Sequence, residues 1–143
     1  FGPIVRRHGG FIDKYLGDGF MALFPNNPDS ALKAALQMRK TLVLFNQSYS
    51  KSIEELKIGI GIHSGTVTLG TIGEIQRMDS TVISDAVNTA SRIEQLTKEK
   101  EIDILISAAT IKKLLTPEAF RFRKIGEEKI RGKDISIELY SLD

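Results

Sequence analysis

No cysteine occurs among the 143 residues. That absence removes disulfides, thiolate nucleophiles and cysteine-ligated zinc together, and it fits a reducing compartment. Histidine occurs only as His8 and His63, and neither has a second ligand type at the helical spacing of a zinc motif. No apolar run approaches the roughly 20 residues that a membrane helix requires. Charge of one sign is lacking as well. Lysine and arginine total 20 against 18 acidic residues, a net charge of +2, and the basic residues are spread along the chain, so no nucleic-acid partner is expected. What remains is the composition of one soluble globular domain, 41% hydrophobic and 27% charged, long enough to bury a core. The chain opens on Phe1 without a signal-peptide pattern, so the expectation is an excised piece of a longer protein.

Local signals order the elements. "FGPIVRRHGG" reads as a short helix ended by Gly9-Gly10, which Pro3 must begin or kink. Two apolar runs flank Asp18-Gly19 and predict a hairpin. "NNPDSALKAALQMRKTLVLFNQSYS" predicts a helix capped by Asn27 with Pro28 at its first position and an apolar stripe of Leu32, Ala35, Leu36, Leu42 and Phe45. "LKIGIGIHSG" alternates as a strand, with "TVTLGTIG" as its expected hairpin partner. "STVIS" predicts a strand before a helix over 86–99. "IDILIS", a short helix at "AATIKKLL", and strands at "FRFRKIGEEKI" and "ISIELYSL" complete the chain. The order argues an α+β domain, a sheet with helices on one side.

Several motifs fail. "GIGIHSG" misses G-x-G-x-x-G by one residue, and "GTVTLGTI" has Thr71-Ile72 where a P-loop needs lysine and a hydroxyl residue. No G-x-S-x-G occurs. Three features remain. Asp18 sits at a hairpin tip, where D-G serves either as turn chemistry or as a ligand. Lys14 precedes it by one i,i+4 step. Asn88 and Arg92 stand at i and i+4 on one helix face near its N-terminal end, where anions are favoured. An amide beside a permanent cation suits a phosphate ester. A cap at Asn88 and a solvated Arg92 beside Gln95 would suit the same spacing.

Together, "HGGFIDKYLGDGFMALF" and "GIGIHSGTVTLGTIGEIQRMDSTVISDAVNTASRIE" resemble the class III nucleotidyl cyclases, the adenylate and guanylate cyclase catalytic domains, over essentially the whole chain. The resemblance implies a ferredoxin-like α+β fold, an antiparallel-rich sheet with helices packed on it, spanning residues 1–143 and lacking the first strand. It implies conversion of ATP to 3′,5′-cyclic AMP and pyrophosphate. It assigns Asp18 to two Mg2+ or Mn2+ ions, Lys14 and Thr81 to the purine, Asn88 to the ribose, Arg92 to the phosphate in the transition state and Lys133 to the terminal phosphates. It also implies a homodimer with composite sites, with regulatory or sensor domains outside the chain and a cytoplasmic catalytic domain.

The chemistry suits those residue types. The ribose 3′-oxygen attacks the α-phosphorus of the same molecule and pyrophosphate leaves in line. Two cations can activate the attacking oxygen and neutralise the leaving ones, while the protein positions the groups and stabilises charge. Lysine can donate to adenine N1, whereas guanine N1 carries a proton, so ATP is expected over GTP. The family's other metal aspartate lies in an F-x-D-[IL] strand ahead of the first helix, outside these residues, so this segment alone is expected to be inactive. Ser80 and Ser84 depart from the tyrosine and glycine common in the family. The rival readings are a guanylate cyclase and a non-catalytic cyclase-homology domain serving dimerisation or regulation. A diguanylate cyclase is set aside because the hairpin reads Leu-Gly-Asp-Gly-Phe.

Overall fold

The computed structural model describes residues 1–49, 51, 54–72, 79–83, 85–130 and 134–143, with the backbone alone for 70–72 and 79–83. Helix α1 (Gly2–Arg7) carries Pro3 in its first turn, where the missing N–H costs nothing. It ends on Gly9, whose φ of 78° is the left-handed conformation expected after a helix. The hairpin β1 (Phe11–Leu16) and β2 (Gly19–Leu23) follows. Leu16 pairs with Gly19, so the two loop residues are Gly17 and Asp18. Gly17 has a φ of 62°, the glycine place at the first position of a type II′ turn. The turn is therefore carried by the glycine before Asp18, not by the D-G dipeptide that predicted it.

Helix α2 (Pro28–Tyr49) starts as its capping residues dictate: Asn27 Oδ1 accepts from the Ser30 amide at 3.0 Å. Its buried residues end at Met38. Phe45, expected in the stripe, is exposed, as are Val43, Leu44 and Tyr49. A helix of this length runs about 33 Å and outreaches the layer it covers.

The main sheet has strand order β3-β6-β8-β7: β3 (Ile60–Ile62), β6 (Ile104–Ser107), β8 (Ser136–Leu142) and β7 (Phe122–Lys129). The β3–β6 pair is parallel and the others antiparallel. The expected pairing of "TVTLGTIG" with the strand before it is incorrect. That segment forms β4 (Thr68–Ile72), which pairs antiparallel with β5 (Asp79–Ile83), Gly70 opposite Thr81. β3 instead spends its paired edge on β6, and residues 63–67 carry the chain out of the main sheet.

The one-sided arrangement of helices is also corrected. Ile104 and Ile106 of β6 pack with Leu32 and Ala35 of α2. Leu105, between them, packs with Ile93 and Leu96 of α3 (Asp85–Lys100). Alternate side chains leave opposite faces of a strand, so the sheet lies between two helices, and the unbroken apolar run of β6 is the mark of a strand buried on both faces. The short α4 (Ala108–Ile111) is capped by Ser107, and a single 3-10 turn occupies Pro117–Ala119.

A third cluster joins Ile4 and Val5 of α1 to Ala34 and Met38 of α2, covered by Phe20 and Ala22 of β2 and by Ile60 of β3. Strands β2 and β3 thus cover the same helices, yet belong to different sheets. Each has one edge with no strand partner among the described residues.

Candidate functional site

Two pieces of the molecule carry the expected site residues. The first is the hairpin. A register shift leaves Asp13 as an extra residue between Ile12, opposite Ala22, and Lys14, opposite Met21, a β-bulge that locally breaks the alternation of side chains. Lys14 is half-buried and Asp18 is exposed at the tip. Strand β1 lies against β5, so the strand carrying Lys14 and the strand carrying Thr81 meet, although they come from distant parts of the chain. Thr81 is described in its backbone only, and Lys133 and Ser84 lie outside the described residues.

The second piece is α3, whose position over the sheet depends on glycine. A Cβ at Gly61 would come within 2.6 Å of the Ala90 carbonyl oxygen, and within a similar distance of the Glu94 backbone. Only glycine lets the helix backbone approach β3 that closely. Ala86, Thr89, Ile93, Leu96 and Thr97 form the buried face, which leaves Asn88 exposed and Arg92 half-buried on the other side. Thr89 and Thr97 are polar members of this core. Thr97 reaches it by donating its hydroxyl to the Glu94 carbonyl at 2.6 Å, which satisfies its one polar group.

Arg92 is held by its own helix. Nη1 donates to Gln95 Oε1 and to Glu99 Oε1, both at 3.3 Å, beyond the usual optimum for N–H···O bonds. Its Nε is buried with no acceptor. The guanidinium therefore keeps an unused donor in a place where water does not serve it, and such groups are uncommon in folded proteins. Asp13 Oδ2 is the other buried side-chain atom without a partner among the described residues.

Among the described residues no three His, Asp or Glu side chains gather as a metal centre. Asp18 offers one exposed carboxylate. Mg2+ takes one or two carboxylates and completes its shell with substrate phosphates and water, so Asp18 fits one protein ligand of such an ion. The histidines serve structure: His8 Nε2 pairs with Gln37 Oε1 at 2.8 Å, and His63 Nδ1 pairs with the buried Ser107 Oγ at 2.7 Å. Asp29 went unnoticed in the sequence beyond its place in a helix start. It is buried and accepts from the Leu115 amide, the Thr116 amide and the Thr116 hydroxyl. Burial pushes its pKa up, but the hydrogen bonds from Thr116 and Leu115 outweigh that and hold it below the usual value of 3.8.

Residues 4–143 match the family model described as the adenylate and guanylate cyclase catalytic domain. An adenylate cyclase of Anabaena cylindrica is 47% identical over 148 residues, a match covering 99% of this chain and 30% of that protein. The structure of a bacterial light-regulated adenylyl cyclase superposes with a TM-score of 0.85 at 27% identity, covering 99% of this chain and 41% of that one. The guanylyl cyclase Cya2 superposes with a TM-score of 0.78 at 28% identity, covering 98% of this chain and 73% of that one. The chain thus spans less than a third of the length of its curated Anabaena relative. From the whole-length match of sequence and fold, the chain belongs to the adenylate and guanylate cyclase catalytic-domain family.

Proposed function

We propose that this domain is the catalytic domain of an adenylate cyclase, converting ATP to 3′,5′-cyclic AMP and pyrophosphate. The observation that carries the choice of ATP is the meeting of β1 with β5, which brings the strand of Lys14 alongside the strand of Thr81. Lys14 donates to adenine N1 and Thr81 accepts from the exocyclic amine, a polarity that guanine reverses at N1.

On α3, Asn88 orients the ribose, one turn before Arg92, which donates to the phosphate as negative charge builds there. The unused buried Nε of Arg92 supports an anionic ligand, because that donor lacks an acceptor among the described residues. Arginine suits this place because it stays charged at any working pH and donates as a planar fork. Lys133 contacts the terminal phosphates. Asp18 would supply one carboxylate to the divalent cations, Mg2+ or Mn2+, which would neutralise charge at the attacking and leaving oxygens.

The second metal carboxylate comes from a strand outside residues 1–143. The open edges of β2 and β3, whose strands pack on one cluster of α1 and α2, support a further strand paired there. The site is composite between two copies of the domain. Exposed Tyr15, Leu16 and Leu69, near the hairpin tip and on β4, support an apolar contact with a second copy. No described helix is long and apolar enough to cross a membrane, and a cytoplasmic setting, where ATP is abundant, suits the proposal.

The test is an assay of the full-length protein with ATP and with GTP in the presence of Mn2+, reading cyclic nucleotide and pyrophosphate. Cyclic AMP formed in preference to cyclic GMP is the expected result. Preferential formation of cyclic GMP would make it a guanylate cyclase, and neither product would favour the non-catalytic reading.

A further inference from the structure

We propose that Asp13 is a further specificity-determining residue of the purine pocket, its carboxylate accepting a hydrogen bond from the 6-amino group of adenine. This rests on the nucleotide reading above and adds a residue to it. Three observations converge on Asp13. In a regular strand the neighbours Asp13 and Lys14 would leave opposite faces. The bulge at Asp13, between Ile12 and Lys14, breaks that alternation, and bulges recur beside active sites because they re-aim side chains. Asp13 is half-buried, and its Oδ2 is shielded from solvent without a hydrogen-bond donor among the described residues. A carboxylate oxygen shut away from water with no donor is costly. The cost is relieved when a donor arrives, and β1 is the strand that carries the purine lysine.

Lys14 makes no ion pair with Asp13, since the described pairs involve Arg92, Lys100 and Lys124. The two side chains are therefore both available, one as acceptor and one as donor. Adenine presents the complementary pair on adjacent atoms, the 6-amino group as donor and N1 as acceptor. Guanine presents the reverse, an oxygen at position 6 and a proton on N1. A fixed carboxylate facing position 6 attracts the amine and repels the oxygen. The amine has two protons, so Thr81 and Asp13 each take one.

The test uses the full-length protein and three probes: ATP, GTP and purine riboside triphosphate, which has hydrogen in place of the amine. Binding is measured by calorimetry and turnover by product formation. The unmodified protein is expected to favour ATP over purine riboside triphosphate by about ten- to hundredfold, the range for a hydrogen bond to a charged group. Asp13→Asn, whose amide can donate to the guanine oxygen, is expected to reduce the ATP-to-GTP preference by a similar factor. Equal affinity of the unmodified protein for ATP and purine riboside triphosphate overturns the inference together with the amine contact given to Thr81, and leaves the cyclase reaction itself standing. Absence of binding to any of the three overturns both. An Asp13→Asn protein that loses self-association while keeping its ATP-to-GTP ratio also overturns it, by making a second copy the source of the donor. The comparison of ATP with purine riboside triphosphate needs no variant, so it stands even if Asp13→Asn fails to fold.

Discussion

Oδ1 of Asp29 accepts from both the amide and the hydroxyl of Thr116, at 2.8 and 2.5 Å. With the Leu115 amide on Oδ2 at 2.8 Å, one carboxylate at the start of α2 pins the loop that follows α4. Asp29→Ala removes three hydrogen bonds made to a buried carboxylate and is expected to cost about 3 kcal/mol, lowering the melting temperature by on the order of 10 °C. The pH dependence follows from the lowered pKa. The stabilisation is complete well above 3.8, begins to be lost as the pH falls below that value, and is gone below the lower folded-state pKa. Thermal melts of the unmodified protein should therefore fall more steeply in acid than those of Asp29→Asn. Parallel acid limbs would disprove the assignment.

Gly61→Ala is expected to lift α3 from β3, because the added methyl group meets the Ala90 carbonyl within 2.6 Å. Overpacking of this kind costs about 1–3 kcal/mol. The helix carries Asn88 and Arg92, so activity should fall further than the folded fraction does. Chemical denaturation paired with a turnover assay at a temperature where the variant stays folded reads both. A variant with unchanged stability would refute the close approach.

Arg92→Ala is expected to reduce kcat about 10²- to 10³-fold, the scale of losing one transition-state donor, with a smaller change in KM. Arg92→Lys should recover little, because a point charge lacks the fork. Glu99→Gln tests the restraint on Arg92: with its ion pair removed, nucleotide affinity should rise, and by only a fewfold, since the pair is partly exposed. An Arg92→Ala protein with normal kcat would exclude arginine from the reaction.

Lys14→Glu combined with Thr81→Cys should move preference from ATP toward GTP. The glutamate accepts from guanine N1 where the lysine could not. Competition between the two nucleotides in one assay measures the change. An unmoved ratio would mean that the base is read elsewhere.

Local chemistry in the sequence foretold the structure best. Asn27-Pro28 announced α2, Gly9 ended α1, and the hairpin formed around Gly17-Asp18, because caps and turns are decided within a few residues. Pairing of β4 was misjudged because adjacency in sequence does not say which edge is already taken. The apolar run Ile104-Leu105-Ile106 carried the information that helices cover both faces, yet a short run of this kind does not declare its neighbours. Phe45 fitted the helical period but lies past the end of the layer beneath it. The candidate site residues Lys14, Asp18, Asn88 and Arg92 rest on family resemblance, while the bulge at Asp13 and the clamp made by Asp29 were not foreseen. A bulge and a long-range carboxylate clamp have no local signature.

The place of β8 within the main sheet bears on how the chain is made. β8 is flanked by β6 and β7, and Arg39 of α2 donates to the carbonyl of Leu142 at 2.8 Å. Most of the sheet's pairing consequently waits on the strand made after all the others described, and residues 136–142 must clear the ribosome before the earlier strands can settle. Contacts of such separation make for slow acquisition of order. A chain ended at residue 135 should accordingly emerge without cooperative melting, however intact its hairpin and its first two helices.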